Sequence, residues 1–214
     1  MLDLSPGPDA LFKQIDKKRR NGIRYAMRQG IEVFEASTVD EVREYYKIHL
    51  EWSRTKGLQP YPFETLEGAW RCRKNRVLFL ARVSGRIIAG SSFRFHPGGL
   101  VEYAENNSYF DVRGLKPNEL LVWHAIEWAC RNSFRWFSFG GAHRFLREFG
   151  GAHVPTYRYR WDRTILRRHD LHEAVMALGR NLLQRTPEPF ENAFRRLLGK
   201  TVPEWERRRE PKDR

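Results

Sequence analysis

The chain has 214 residues, of which 41% are hydrophobic and 14% aromatic, enough to form one substantial core. Lysine and arginine number 39 against 26 aspartate and glutamate, so the formal net charge is +13. This excess favours an acidic partner: RNA, the diphosphate of a nucleotide or lipid-linked sugar, or an anionic membrane surface. No apolar run approaches the roughly 20 residues of a membrane helix, and the N-terminus lacks a signal peptide's apolar segment. We therefore expect a cytoplasmic protein without a transmembrane segment.

The cysteine and histidine patterns argue against disulfide and metal chemistry. Cys72 and Cys130 lie in separate predicted helices without Cys or His neighbours, which favours buried thiols over a disulfide or zinc site. The seven histidines are scattered. His169 and His172 have helical spacing but no evident third ligand, so we expect no metal site.

The first long element is a basic helix predicted over residues 9–29, with apolar residues at helical spacing and Gly30 as its stop. Its other faces carry more cationic side chains than solubility requires, which indicates a surface for RNA or phosphate unless the helix is simply solvated. These side chains are Lys13, Lys17, Lys18, Arg19, Arg20, Arg24 and Arg28.

A strand at 31–36 follows, and then a helix capped by Ser37 or Thr38 that runs to about residue 55. A second helix is predicted at 64–74. Next come three strands joined by short turns, which together predict an antiparallel meander. Their ranges are 77–83, 86–95 and 100–110.

Residues 115–151 predict a helix, a strand and a glycine turn. Pro117 presets the first helical turn, and the apolar stripe of the helix includes Trp123 and Ile126. A strand at 136–139 leads to Gly140 and Gly141, where a backbone can approach a ligand closely. A helical turn at 143–149 and a strand at 157–161 follow, with Arg158 and Arg160 on one face of that strand.

We expect a transferase-like domain over residues 1–163, two further helices forming an extension over 164–203, and a charged, disordered tail over 204–214. The fold class predicted is therefore α/β (α+β): a mixed, mostly antiparallel sheet flanked by helices, with a C-terminal helical extension.

This order of elements resembles the GNAT superfamily of acyltransferases, and within it the Fem family of aminoacyl-tRNA-dependent transferases. The opening segment LDLSPGPDALFKQIDKKRRNGIRYAMRQGIEV is similar to a family strand followed by an Arg-x-x-Ile-Arg-x-Ala helix. LKPNELLVWHAIEWA is similar to the helix after the central sheet, and RWFSFGGA with FLREFGG to the closing strand and turn. The resemblance covers about residues 2–159.

Two departures from the family pattern stand out. Fem enzymes commonly have tandem domains, and this chain resembles the second alone, so either the first half has been lost or a homodimer or a partner domain supplies it. The closing motif of the family usually reads Phe-Lys-x-x-Phe-Gly, but Phe145 is followed here by Leu146. Arg144 and Arg147 flank this position and could supply the missing charge.

The resemblance implies attack of an amine on an activated acyl group, which requires alignment, proton removal and stabilisation of the oxyanion. Glu102 and Glu105 alternate on the third meander strand, so we expect them on opposite faces with only one pointing inward. We favour Glu105 with Asn107 as the catalytic pair, with Arg147 as the charge-stabilising residue. An exposed strand carboxylate is the alternative interpretation.

The donor is expected where the central strands separate and the next helix begins. The segment VRGLKPN does not match the glycine-rich loop of coenzyme A-dependent GNAT enzymes, which favours a different donor. The predicted substrate- or tRNA-binding residues are Lys17, Arg20, Arg24, Lys116, Asn118, Glu119, Gly140, Gly141, Arg144, Arg158 and Arg160.

The leading hypothesis is a Fem-type aminoacyltransferase that moves an amino acid from aminoacyl-tRNA to an amine of a peptide, a peptidoglycan precursor or a biosynthetic intermediate. No bound cofactor is expected, because aminoacyl-tRNA is a co-substrate. The alternatives are an N-acyltransferase that uses acetyl- or acyl-CoA, and a non-catalytic basic module that binds RNA or a partner on a GNAT scaffold.

Overall fold

The expected mixed, mostly antiparallel sheet flanked by helices is confirmed by the structure, a computed structural model that describes residues 1–140 and 144–155, with only the backbone at Arg144. The predictions for Gly141, Arg158, Arg160 and residues 157–161 lie outside this part of the chain, as do those for residues 164–214. The strands are β1 (Leu2–Asp3), β2 (Glu32–Glu35), β3 (Arg76–Val83), β4 (Arg86–Phe95), β5 (Leu100–Ser108) and β6 (Trp136–Ser138). The helices are α1 (Pro8–Gln14), α2 (Lys17–Arg28), α3 (Val39–Thr55), α4 (Phe63–Arg71), α5 (Pro117–Arg131) and α6 (Arg144–Arg147).

The basic N-terminal segment forms two helices where one was predicted. Ile15 has an extended backbone that ends α1, and Asp16 caps α2 by accepting a hydrogen bond from the Lys18 amide at 2.8 Å. Aspartate competes well for the free amides of a helix start, so it begins a new helix here.

Other local signals were interpreted correctly. The Thr38 side chain caps α3 by accepting from the Glu41 amide, and the Glu41 carboxylate accepts from the Thr38 amide at 3.0 Å, which completes a capping box.

The thiol prediction was wrong for Cys72, which is exposed because it follows the last turn of α4. Cys130 is half-buried.

The six strands of the described residues form one sheet in the order β1-β6-β5-β4-β3-β2. All neighbours are antiparallel except β5 and β6, which run parallel through only three residue pairs. The meander of β3, β4 and β5 was predicted from the turns between them, and its register places the centre of β5 beside the middle of β4.

Helices cover both faces of the sheet. The larger core packs α1, α2 and α5 against one face, and its fully buried side chains include Leu121 and Ile126 of the predicted α5 stripe. Burial of each such side chain contributes roughly 1.5–3 kcal/mol. A smaller core, which includes Tyr45 and Ile48, packs α3 and α4 against the other face. No helix in the described part of the chain has the length and apolarity needed to cross a membrane.

Candidate acyl-transfer site

A β-bulge in the third meander strand determines which carboxylates face the smaller core. Ser92 pairs with Glu105 while the next residue, Phe93, pairs with Tyr103, so Ala104 is the extra, unpaired residue. The alternation of side chains restarts after the bulge, and Glu102 and Glu105 therefore lie on the same face. The prediction that they lie on opposite faces was wrong, because a strict period of two does not allow for an inserted residue.

Glu105 lies at the centre of a hydrogen-bonded group between β5, α3 and the loop before α4. Its carboxylate accepts from the Tyr61 hydroxyl at 2.8 Å and from Asn107 Nδ2 at 2.5 Å. His49 Nδ1 lies 3.2 Å from Glu105 Oε1, and Asn107 Nδ2 also donates to the Tyr45 hydroxyl at 3.1 Å. We call Glu105, Asn107, His49, Tyr45 and Tyr61 the Glu105 cluster.

The Glu105 cluster carries one negative charge among neutral partners. Burial and the Glu105 charge raise the pKa values of Tyr45, Tyr61 and Tyr103, so these hydroxyls stay protonated. Burial lowers the pKa of His49 below 6.5, although Glu105 opposes this shift. In the described part of the chain, Glu105 forms no ion pair with a lysine or arginine. A charge compensated only by neutral donors attracts a cationic ligand.

Gly90 allows α3 to pack closely enough to complete the cluster. A Cβ atom built on Gly90 would lie 2.6 Å from Tyr45 Cδ2 and 2.8 Å from Leu80 Cδ2. Both neighbours are fully buried, so neither has space into which to move.

We therefore expect Gly90→Ala to destabilise the protein by about 1–3 kcal/mol through overpacking. Urea unfolding monitored by circular dichroism measures this change. Gly68→Ala is the matched control, because a Cβ there meets nothing within 4 Å and alanine favours helix α4. Equal stability of Gly90→Ala and the unsubstituted protein would refute the packing argument.

The sheet opens beside the Glu105 cluster. β6 pairs with β5 only from Leu100 to Glu102, and no described strand lies on that edge of β5 over residues 103–108. Glu105 and Asn107 lie on this unpaired half. The donor was predicted to bind where the central strands separate, and β5 and β6 separate here.

The N-terminus of α5 lies next to the end of β5. Asn118 Nδ2 donates to Ser108 Oγ at 3.2 Å, and the Asn118 Oδ1 atom is buried with no hydrogen-bond partner among the residues that the structure describes. Lys116, the N-cap residue, is exposed in the left-handed region with φ 63° and supplies no side-chain cap. The amides at this helix start thus remain suited to a negatively charged or carbonyl oxygen.

Glu119, predicted to bind substrate, lies instead in a buried ion-pair network. Its carboxylate accepts from Arg19 Nη1 at 2.8 Å, and Arg19 Nε donates to Glu148 at 2.6 Å. The Arg19 guanidinium also lies over the Phe145 ring, 4.4 Å from its centroid. This network connects α2, α5 and the turn after α6, and it pairs the Glu119 carboxylate with a cation that it shares with Glu148.

Among the described residues, no hydrogen bond or ion pair joins the remaining predicted residues to the Glu105 cluster. Lys17 and Arg24 are exposed on α2, while Arg20 donates to backbone carbonyls at the end of α1, including Ile15 O at 3.0 Å. Gly140 has φ 69°, which glycine adopts readily, and its amide donates to Ser138 Oγ at 3.2 Å. Arg147 is exposed, and no hydrogen bond of the described residues joins it to the cluster.

Leu146 occupies the position of the motif lysine and is buried in the larger core with 3% exposure. The side chain at this position therefore packs inward. The catalytic role of Arg147 remains a prediction, as do the roles of Glu105 and Asn107.

Sequence reasoning missed His49, Tyr45 and Tyr61. His49 and Tyr45 lie four residues apart on α3, so they share a helical face, and both are buried. Polar residues on the buried face of an amphipathic helix were the available signal. Tyr61 lies in a loop and carried no periodic signal.

Comparison with known proteins places this architecture in context. Residues 17–159 match the family described as "Acetyltransferase (GNAT) domain". The structure is similar to that of FemX, with a TM-score of 0.59 and 13% identity over 69% of this chain and 56% of FemX. The chain thus spans little more than half the length of that protein.

It is also similar to a ribosomal-protein-alanine N-acetyltransferase from Brucella melitensis biovar Abortus 2308, with a TM-score of 0.51 and 16% identity over 61% of this chain and 99% of that one. No curated protein matches the sequence. At these identities the structural likeness supports the fold alone. The family match spans more than half of the chain, and the sheet that parts beside α5 agrees with it, so the chain belongs to the acetyltransferase (GNAT) domain family.

Proposed function

We propose that the protein is an N-acyltransferase that binds and deprotonates an acceptor amine at the Glu105 cluster and takes an aminoacyl group from aminoacyl-tRNA. One observation carries the first part: a partly exposed carboxylate, held by neutral donors, lies on the strand half where the sheet opens. The family match supports acyl transfer as the reaction class.

The chemistry requires few groups. An amine is cationic near neutral pH, so the negative Glu105 cluster attracts it, and the amine must then lose its proton to become a nucleophile. The neutral nitrogen then attacks the acyl carbon, a C–N bond forms, and the C–O bond to the ribose of the tRNA breaks. Backbone amides at the start of α5 are suited to stabilise the negative oxygen that develops on the carbonyl.

The outer face of α2 supports a polyanionic donor. Apart from Met27, its exposed positions form one continuous helical stripe of about 16 Å that contains four cations and no acid. We call this set the α2 stripe, and it consists of Lys17, Lys18, Asn21, Arg24, Tyr25 and Arg28.

None of the four cations forms an ion pair with a described carboxylate, and Tyr25 is 39% exposed among them. Cations spaced along a helix, with an exposed ring between them, suit the phosphates and bases of RNA. The departure of the sequence VRGLKPN from a glycine-rich coenzyme A loop points in the same direction.

Salt-dependent binding tests the tRNA proposal. We expect the affinity for aminoacyl-tRNA, measured by filter binding from dilute to moderate salt, to fall steeply on a logarithmic plot. The double variant Lys18→Gln/Arg28→Gln should reduce the slope by about one for each cation removed. The matched variant Arg43→Gln/Lys47→Gln on α3 removes the same charge and should keep the slope. A flat dependence for the unsubstituted protein would refute tRNA binding.

An acyl-CoA donor is the second candidate, favoured by the uncapped start of α5, where phosphate could bind, and by the family match. Calorimetric titration with acetyl-CoA separates the two. If the protein binds acetyl-CoA and its tRNA binding does not depend on salt, acetyl-CoA replaces aminoacyl-tRNA as the proposed donor.

A further inference from the structure

His49 is a buried histidine beside Glu105. Its side chain lies on α3 with 5% exposure, and its ring stacks on that of Tyr61 with centroids 3.9 Å apart. Tyr46 lies near its ring as well, at 5.9 Å. Its Nε2 atom is buried and has no hydrogen-bond partner among the described residues.

The hydrogen bonds around Glu105 determine which nitrogen of His49 carries the proton. Asn107 has two N–H donors, and the Tyr45 hydroxyl at 3.1 Å and Glu105 Oε1 at 2.5 Å accept them. Asn107 therefore has no donor left for His49 Nδ1, at 3.4 Å. The Nδ1 atom faces the Glu105 carboxylate at 3.2 Å, which can only accept a hydrogen bond when ionised. A proton on Nδ1 gives the Glu105 acceptor a donor. The other nitrogen of the ring, Nε2, then carries a lone pair.

We propose that His49 Nε2 is the atom that accepts the proton of the attacking amine, and that Glu105 is the residue that orients His49. A carboxylate that fixes one imidazole tautomer so that the opposite nitrogen acts as a base is a well-understood catalytic arrangement. This inference rests on the proposed acyl transfer and specifies which atom receives the proton.

The proton balance closes within one turnover. The amine, having lost its first proton to solvent, attacks the acyl carbon through its nitrogen, and a C–N bond forms. His49 Nε2 takes one N–H proton from that nitrogen, which produces an imidazolium beside the Glu105 carboxylate. The C–O bond then breaks, and the departing ribose oxygen receives the proton from Nε2, which restores neutral His49.

Tyr61 contacts both members of the proposed pair. Its ring stacks on one face of the His49 imidazole, and its hydroxyl donates to Glu105 at 2.8 Å. Tyr61 belongs to the loop between α3 and α4, where Gly57 has φ 63° and Leu58 is exposed. Entry of an amine at Glu105 replaces the Tyr61 hydroxyl as a donor, so the ring can swing away as the substrate binds.

The pH dependence follows from the groups that face His49. These are Glu105 and Asn107 on β5, Tyr45 and Tyr46 on α3, and Tyr61 on the loop, of which Glu105 alone is charged near neutral pH. Burial lowers the pKa of His49 below its ordinary value, so the base is neutral at pH 7. The transfer rate should therefore rise with pH through the His49 pKa, below 6.5, and any further rise at higher pH reports deprotonation of the amine itself.

Two measurements on the full chain test the proposal. Nitrogen-15 NMR of histidine-labelled protein reports the tautomer directly, and we expect His49 to carry its proton on Nδ1 with a pKa below 6.5. The variant His49→Gln should lower kcat by about 100-fold, abolish the acid limb of the rate profile and change KM little. His96→Gln, at an exposed histidine in the β4–β5 turn, is the matched control and should behave as the unsubstituted protein.

A proton found on Nε2 would overturn the inference, whether or not the variant folds. So would a kcat within threefold of the unsubstituted value for folded His49→Gln. If the unsubstituted protein transfers no acyl group, the proposed function fails and the base role fails with it. Transfer by the unsubstituted protein with an undiminished rate in folded His49→Gln overturns the role of His49 alone.

Discussion

Replacement of Glu105 by glutamine is expected to lower kcat for acyl transfer by about 100-fold or more while the protein remains folded. Glutamine keeps an oxygen that can accept from Tyr61 and Asn107 but lacks the negative charge that attracts the amine. It can also donate to His49 Nδ1, which would favour the wrong tautomer of the imidazole. Steady-state kinetics with saturating donor, together with thermal unfolding, measure both effects.

Glu102→Gln is the control for this experiment. Glu102 lies on the same strand and the same face, but it forms an exposed ion pair with Arg94 at 3.2 Å. Its replacement should leave kcat within a factor of about two, since exposed pairs contribute little. Equal activities for the two variants would mean that the Glu105 cluster is structural.

The second large effect is expected on stability. Arg19→Met should destabilise the protein by about 3 kcal/mol, because it leaves the Glu119 carboxylate buried without its cation. The side chains of Arg19 and Glu119 are only 14% and 10% exposed. Methionine fills much of the same volume as arginine. The loss of stability therefore measures the missing charge and hydrogen bonds more than a change in packing. Chemical denaturation gives the free energy of unfolding.

Arg43→Met provides the matched comparison, since Arg43 pairs with Asp40 at 2.9 Å on the exposed side of α3. The expected loss there is below about 1 kcal/mol. A second substitution, Glu119→Gln in the Arg19→Met background, should recover part of the stability by removing the unpaired charge. Similar losses for Arg19→Met and Arg43→Met would show that the network contributes no more than a surface pair.

Local patterns predicted most elements because their causes are local. The proline at the start of α5, the capping box of α3 and the turns of the meander each act within a few residues, so one sequence is enough to recognise them. The split between α1 and α2 was not predicted, but the sequence contains its local cause, since Asp16 is a good N-cap residue.

The candidate site was harder to predict because it depends on long-range packing. The bulge at Ala104 arises from the fit of β4 to β5, and the alternation of side chains in the sequence does not predict it. Glu119 was expected at a ligand, but Arg19, a hundred residues earlier in the chain, reaches it across the α2–α5 interface. His49 likewise can be recognised as part of the candidate site only when α3 packs over β5 and brings it beside Glu105.

The most direct test of acyl transfer is a mass measurement on the acceptor. The protein is incubated with a mixture of aminoacyl-tRNAs, and separately with acetyl-CoA, together with a panel of amine-bearing peptides and cell-wall precursors. We predict that one acceptor gains the mass of one amino acid in the presence of aminoacyl-tRNA, and that Glu105→Gln nearly eliminates this gain. No mass gain with any pair would contradict an enzymatic role and favour a basic binding module on the same scaffold.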